Sequence, residues 1–100
     1  MTPEITKMMT LSTGHVRYST AQMLDAEPDT NALGLSVYPK ICGGESVGWF
    51  IYLPGAAPDG IPEDMEQAIR YALDENCSVL CLDADGPESP SLQSYQDTWP

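Results

Sequence analysis

Val47-Gly48-Trp49-Phe50-Ile51-Tyr52-Leu53 decides how the rest of this chain is read. The run is dense in aromatic and β-branched residues, which suit a pleated, half-buried surface, and Pro54-Gly55 stops it. So nearly continuous an apolar strand belongs inside a sheet or is covered on both faces. Immediately upstream, Gly43-Gly44-Glu45-Ser46 reads as a turn, and before it Leu35-Ser36-Val37-Tyr38 reads as a second strand. The two runs form a hairpin. Pro39 places the upstream strand at an edge or marks its end, because proline cannot donate to a ladder.

Downstream, a Pro/Gly loop over Ala56 to Gly60 leads into a helix opened by Pro62. Glu63, Asp64 and Glu66 put negative charge in its first turn, where the macrodipole favours it. Met65, Ala68, Ile69, Ala72 and Leu73 recur at helical spacing as a core-facing stripe. Asn76 suits a left-handed stop, and Val79-Leu80-Cys81-Leu82 reads as the last strand. Towards the N-terminus, Met8-Met9-Thr10-Leu11-Ser12 reads as the first strand. Ser19 and Gln22 have capping-box spacing, so a short helix is expected from about Ser19 to Glu27, with Pro28 at its end. Asp25 and Glu27 fall near its C-terminus, where the dipole disfavours them.

The order is therefore β-α-β-β-α-β. It predicts an α+β fold of the ferredoxin-like kind: a four-stranded antiparallel sheet with two helices on one face. Another α+β sheet order is the alternative, since element order does not state pairing. One hundred residues make a single domain, 1–100, with a core over about 8–87 and a tail, 88–100, anchored by Leu92, Tyr95 and Trp99.

Charge narrows the function classes. Fifteen Asp and Glu against four Lys and Arg give a formal net charge of −11. Small soluble domains are comfortable at a magnitude of roughly 2–8. Such an excess disfavours direct binding of nucleic acid, whose phosphates need cations, and attracts basic surfaces. Hydrophobic content of 42% excludes a disordered acidic tail. No apolar run reaches the roughly 18 residues of a membrane span, and the start of the chain lacks a signal-peptide pattern, so a bacterial cytosolic protein is expected. Cys42, Cys77 and Cys81 are an odd set without zinc spacing and are expected to be reduced.

The chemistry-bearing candidates each have a plain alternative. Asp83-x-Asp85-Gly86 after a strand could grip a divalent cation, but it lacks the rest of a calcium-loop signature and also reads as an acidic turn. His15 is the only imidazole available as a general base, and no nucleophile elbow accompanies it. Gly43-Gly44 lacks the Lys-Ser/Thr of a phosphate loop. Trp49, Phe50 and Tyr52 could stack bases, but Lys40 is the sole basic residue nearby, and core or interface packing is the better reading. The remaining candidates are carboxylates. Glu63, Asp64, Glu66, Asp74 and Glu75 on the main helix, with Asp25, Glu27 and Asp29 around the end of the first, would form an extended negative surface if both helices share a face.

Leu11-Ser12-Thr13-Gly14-His15, Gly48-Trp49-Phe50-Ile51-Tyr52, Ile61-Pro62-Glu63-Asp64-Met65, Asn76-Cys77, Leu82-Asp83-Ala84-Asp85-Gly86-Pro87 and the tail Tyr95 to Trp99 together resemble a small uncharacterised bacterial family carried mainly on plasmids and other mobile elements. The resemblance spans residues 10–99, and Gly14 stands where that family would have Ala. It implies a setting in which small acidic proteins are similar to anti-CRISPR and anti-restriction inhibitors.

The expected function is thus a non-enzymatic inhibitor without a cofactor. It would mimic nucleic acid and occupy a basic surface of a host protein or ribonucleoprotein complex through the eight helix carboxylates. The alternatives are a small metal-dependent enzyme or metal-binding module using Asp83 and Asp85, and a homo-oligomeric structural module.

Overall fold

In the computed structural model, which describes residues 3–100, the chain runs β1 (Met8–Ser12), α1 (Tyr18–Thr30), β2 (Ser36–Cys42), β3 (Glu45–Tyr52), α2 (Glu63–Asp74) and β4 (Val79–Asp83). The α+β class and the element order match the reading of the sequence. The sheet does not. Its order is β1-β4-β3-β2, and it is mixed, with β1 parallel to β4 and the other neighbours antiparallel. The expected purely antiparallel sheet is therefore corrected.

The cause is the segment 53–62. Leu53 N–H donates to the Ser78 carbonyl, so β3 ends beside the start of β4. The Asp64 carboxylate, at the start of α2, lies instead against Arg17, beyond the far end of β1. The ten-residue Pro/Gly-rich connection thus travels the length of the sheet before the helix begins. Ten residues reach roughly 33 Å when extended, ample for a strand of this size. α2 then runs back, and β4 enters from the end that places it antiparallel to β3 and parallel to β1.

Both helices lie on one face of the sheet, as expected. Leu24 of α1 and Met65, Ala68, Ile69 and Ala72 of α2 share a core with Leu11, Val37, Trp49, Ile51, Leu80 and Leu82 of the strands. Each large apolar side chain buried there contributes about 1.5–3 kcal/mol.

Several boundaries shift for physical reasons. α1 starts at Tyr18 and has no side-chain cap of its own; the expected Ser19 capping box does not form. Asp64 Oδ2 instead accepts the Arg17 backbone N–H at 2.6 Å, a cap supplied by the other helix. Pro28 lies within the last turn of α1, and Asn31 in the left-handed region closes the helix. β2 runs through Pro39 to Cys42, which an edge strand permits because one row of N–H groups needs no partner. Gly43 and Gly44, both at positive φ, form the two-residue turn of the hairpin.

Two glycines are required by backbone approach. A Cβ on Gly48 would sit 1.8 Å from the Leu82 carbonyl oxygen, and one on Gly86 would sit 2.5 Å from that of Leu11. The first lies beside a register shift in the β2–β3 ladder, the second in the turn that follows β4.

Candidate functional site

The four basic residues are all engaged. Arg17 lies 3.8 Å from Asp64, Arg70 lies 2.8 Å from Glu66, Lys40 pairs with Asp83, and Lys7 Nζ donates to the Glu75 carbonyl at 2.5 Å. No other Lys or Arg exists to offset the remaining carboxylates. Of the eight expected partner-contacting residues, Asp25, Asp29, Glu63, Asp74 and Glu75 are exposed, and Glu66 is half-buried.

Glu27 and Asp64 are not on that surface, and the expectation for these two is corrected. Both are buried. Glu27 accepts the Leu33 and Leu35 N–H groups, at 2.8 and 3.0 Å, one on each oxygen. It ties the connection after α1 back to the helix, which is why an acid stands near a helix end whose dipole disfavours it. Asp64 caps α1, and its Oδ1 has the Arg17 guanidinium nearby but no hydrogen-bond donor.

Asp83 and Asp85 form a turn. Asp83 Oδ1 accepts the Asp85 N–H at 2.8 Å, and Gly86 N–H reaches the Asp83 carbonyl at 2.9 Å. Asp83 Oδ2 faces Lys40. The Lys40 ammonium first, and the Asp85 N–H second, hold the Asp83 carboxyl below its usual range. Among the described residues, no group of three or more His, Cys, Asp and Glu is placed to hold a metal ion.

His15 is buried and does not meet this turn through any hydrogen bond. Its Nε2 accepts the Ser89 N–H at 2.9 Å, which leaves the proton on Nδ1 to donate to the Gln93 carbonyl at 3.0 Å. Both ring nitrogens are thus committed to the tail. Gly14 and Val16 continue the seam: the Gly14 carbonyl accepts from Tyr95 N–H and the Val16 carbonyl from the Trp99 indole.

The central aromatic run divides by strand alternation. Trp49 faces the helices, whereas Phe50 and Tyr52 emerge on the sheet's uncovered face beside Tyr38 of the neighbouring strand. Tyr38 and Tyr52 meet edge-on at 5.6 Å, and with Ser36 and Phe50 they line a shallow depression of about 420 Å³. Lys40 lies 5.8 Å from the Phe50 ring centre and 3.9 Å from the buried Cys81 sulfur. Burial pushes the Cys81 thiol up, against the pull of that ammonium. Lys40 and Asp83 balance each other here, so the charge excess resides elsewhere. Cys42 is exposed, Cys77 and Cys81 are buried, and none is joined in a disulfide.

A second concavity was not anticipated. Where β1 and β4 end and β3 begins, Trp49 and Trp99 line a notch of about 210 Å³ together with Asp25, Thr13, Ser46 and Gly48. Trp49 Nε1 donates to Asp25 Oδ1 at 2.9 Å, which holds the carboxylate at the notch. Trp99 is held by its own indole bond and by an edge-on contact with Tyr18 at 5.5 Å. No local motif signals this site, since its residues come from positions 13 to 99 and converge only on folding.

These features sit within a recognised sequence family. The family described as "Family of unknown function (DUF5983) C-terminal domain" matches residues 8–97. The chain belongs to that family. No curated protein and no solved structure matches it. The matched span takes in every strand, both helices and the tail residues that His15 holds, whereas Trp99, which ends the seam and lines the notch, lies two residues beyond it. No described helix is long and apolar enough to cross a membrane.

Proposed function

We propose that this DUF5983 domain is a non-enzymatic interaction module that occupies a basic surface of another protein, one that otherwise holds nucleic acid. The observation that supports it best is the shortage of free cations: three of the four Lys and Arg pair with a carboxylate, Lys7 donates to a backbone carbonyl, and the carboxylates left over, Glu27 apart, are exposed. Asp25 and Asp29 on α1, Glu63 and Asp74 on α2 and Glu75 just after it belong to the helix layer on one side of the sheet and have no cation paired with their carboxylates, while Glu66 is shared with Arg70. A layer in which carboxylates outnumber cations projects a long-range negative potential and speeds encounter with a positive patch. The candidate residues that could have done chemistry have internal work: His15 holds the tail, and Asp83 pairs with Lys40. An inhibitor of a defence nuclease, of the anti-CRISPR or anti-restriction kind, fits this description in the bacterial cytosol.

The test is affinity capture from bacterial lysate at low and high salt, with the Glu63→Lys, Glu66→Lys double variant alongside. The expected outcome is a nucleic-acid-binding protein retained at low salt, released as salt rises, and lost with the double variant. Capture that ignores both salt and charge reversal would remove the helix layer as the contact.

A further inference from the structure

We infer that the notch between Trp49 and Trp99 is a receptor for a single arginine side chain of that basic partner, with Asp25 as its counter-ion. This rests on the proposed function and assigns it a specific anchor. The size argues for one side chain: about 210 Å³ falls below the roughly 300–1,000 Å³ of sites for drug-sized ligands. The lining argues for a cation. An indole attracts cations more strongly than other rings do; Trp99, half-buried, lines the notch, and the Asp25 carboxylate lines it too.

The electrostatics of Asp25 support the assignment. Trp49 donates to one of its oxygens at 2.9 Å, but a carboxylate offers about four acceptor positions, so most of its capacity is unspent. No Lys or Arg of this chain is paired with it, all four being engaged elsewhere. The hydroxyls of Thr13 and Ser46, also in the lining, add neutral acceptors.

Arginine fits better than lysine. A planar guanidinium stacks flat on an indole while its edge meets a carboxylate, whereas an ammonium is a compact, strongly hydrated point charge. The uncovered sheet depression is the rival pocket. It has three rings but no carboxylate, and the Lys40 ammonium already approaches one of them. The notch also opens where α1 contributes Asp25, so one partner surface can engage it and the helix carboxylates together.

The test uses nona-arginine and nona-lysine peptides, equal in charge, titrated at low salt into the isotopically labelled protein. The chain has two tryptophans, so two indole N–H signals report on the two walls. The expected result is that both signals move with nona-arginine and far less with nona-lysine. Asp25→Asn keeps an acceptor for Trp49 and removes the charge. It should weaken nona-arginine by about tenfold and abolish the preference over lysine. Trp99→Phe, which retains a ring but loses the indole donor, should weaken binding by a smaller factor.

Failure separates the two ideas. If the peptides bind equally, the indole signals stay still and Asp25→Asn has no effect, while Glu63→Lys with Glu66→Lys still weakens both, then the notch is idle and the acidic surface stands. If neither peptide binds at low salt, both fall.

Discussion

At the scale of single residues, the clearest case is Lys40 and Asp83, brought together across β2, β3 and β4 by the register Lys40–Gly48–Asp83. Hydrogen bonding to Asp83 raises the lysine above its ordinary range, as the same contact lowers the carboxyl. The consequences for folding have opposite signs in pH. The Asp83 contribution is complete above the ordinary carboxylate range, near 3.9, and is lost as pH falls through its lower folded value. The Lys40 contribution is complete below the ordinary lysine range, near 10.4, and is lost as pH rises through its higher folded value. A carboxyl NMR titration should place Asp83 below an ordinary aspartate, and Lys40→Met should move it up. An Asp83 that titrates identically in both proteins would refute the pairing. Little of this was legible beforehand, since Lys40 and Asp83 stand far apart in sequence and only the glycine between them lets the backbones close. The acidic turn reading of Asp83-Ala84-Asp85-Gly86 was legible, because a carboxylate followed two residues on by an N–H closes a local ring whatever the rest of the chain does.

At the scale of elements, the tail is held by a histidine rather than by apolar burial alone. His15, in the turn after β1, is donor to Gln93 and acceptor from Ser89, and the Tyr95 and Trp99 bonds extend the seam. His15→Phe keeps a ring but strands one N–H and one carbonyl, at a cost of about 1–3 kcal/mol. Hydrogen exchange should quicken over residues 88–99 in that variant, and protease cleavage should concentrate there, with β3 and β4 unchanged. Uniform acceleration over the whole chain, or none, would contradict the role. The amphipathic stripe of α2 and the strand pattern of β3 were readable because burial on one face imposes a period on the sequence. The start of α1 was not. Its cap comes from Asp64, and a donor–acceptor pair between two helices has no local spacing to read. Alternation could have parted Trp49 from Phe50 and Tyr52, because neighbours on a strand face opposite sides.

At the scale of the molecule, charge and topology set the behaviour. The net charge of −11 lies on a body measuring 48 × 30 × 28 Å, and nothing basic is left to neutralise it. At 0.01 M salt the screening length is about 30 Å, comparable to the molecule, and at 0.15 M it is about 8 Å. Self-repulsion should therefore ease as salt is added. A relief of about 1 kcal/mol would raise the melting temperature by roughly 4–8 °C in a chain of this length. Scanning calorimetry from 0.01 to 0.15 M sodium chloride measures it. A melting temperature that stays flat or falls would mean that the three ion pairs outweigh the repulsion. The amino-acid sequence by itself determined the element types, their order, the turn at Gly43-Gly44 and the charge, because each rests on local periodicity, local backbone freedom or composition. Only the tertiary structure decided the direction of β4, the withdrawal of Glu27 and Asp64 from the acidic surface, and the meeting of Asp25, Trp49 and Trp99. Each depends on where a connection carries the chain through space, and the path taken by residues 53–62 is set by the core that both helices must cover.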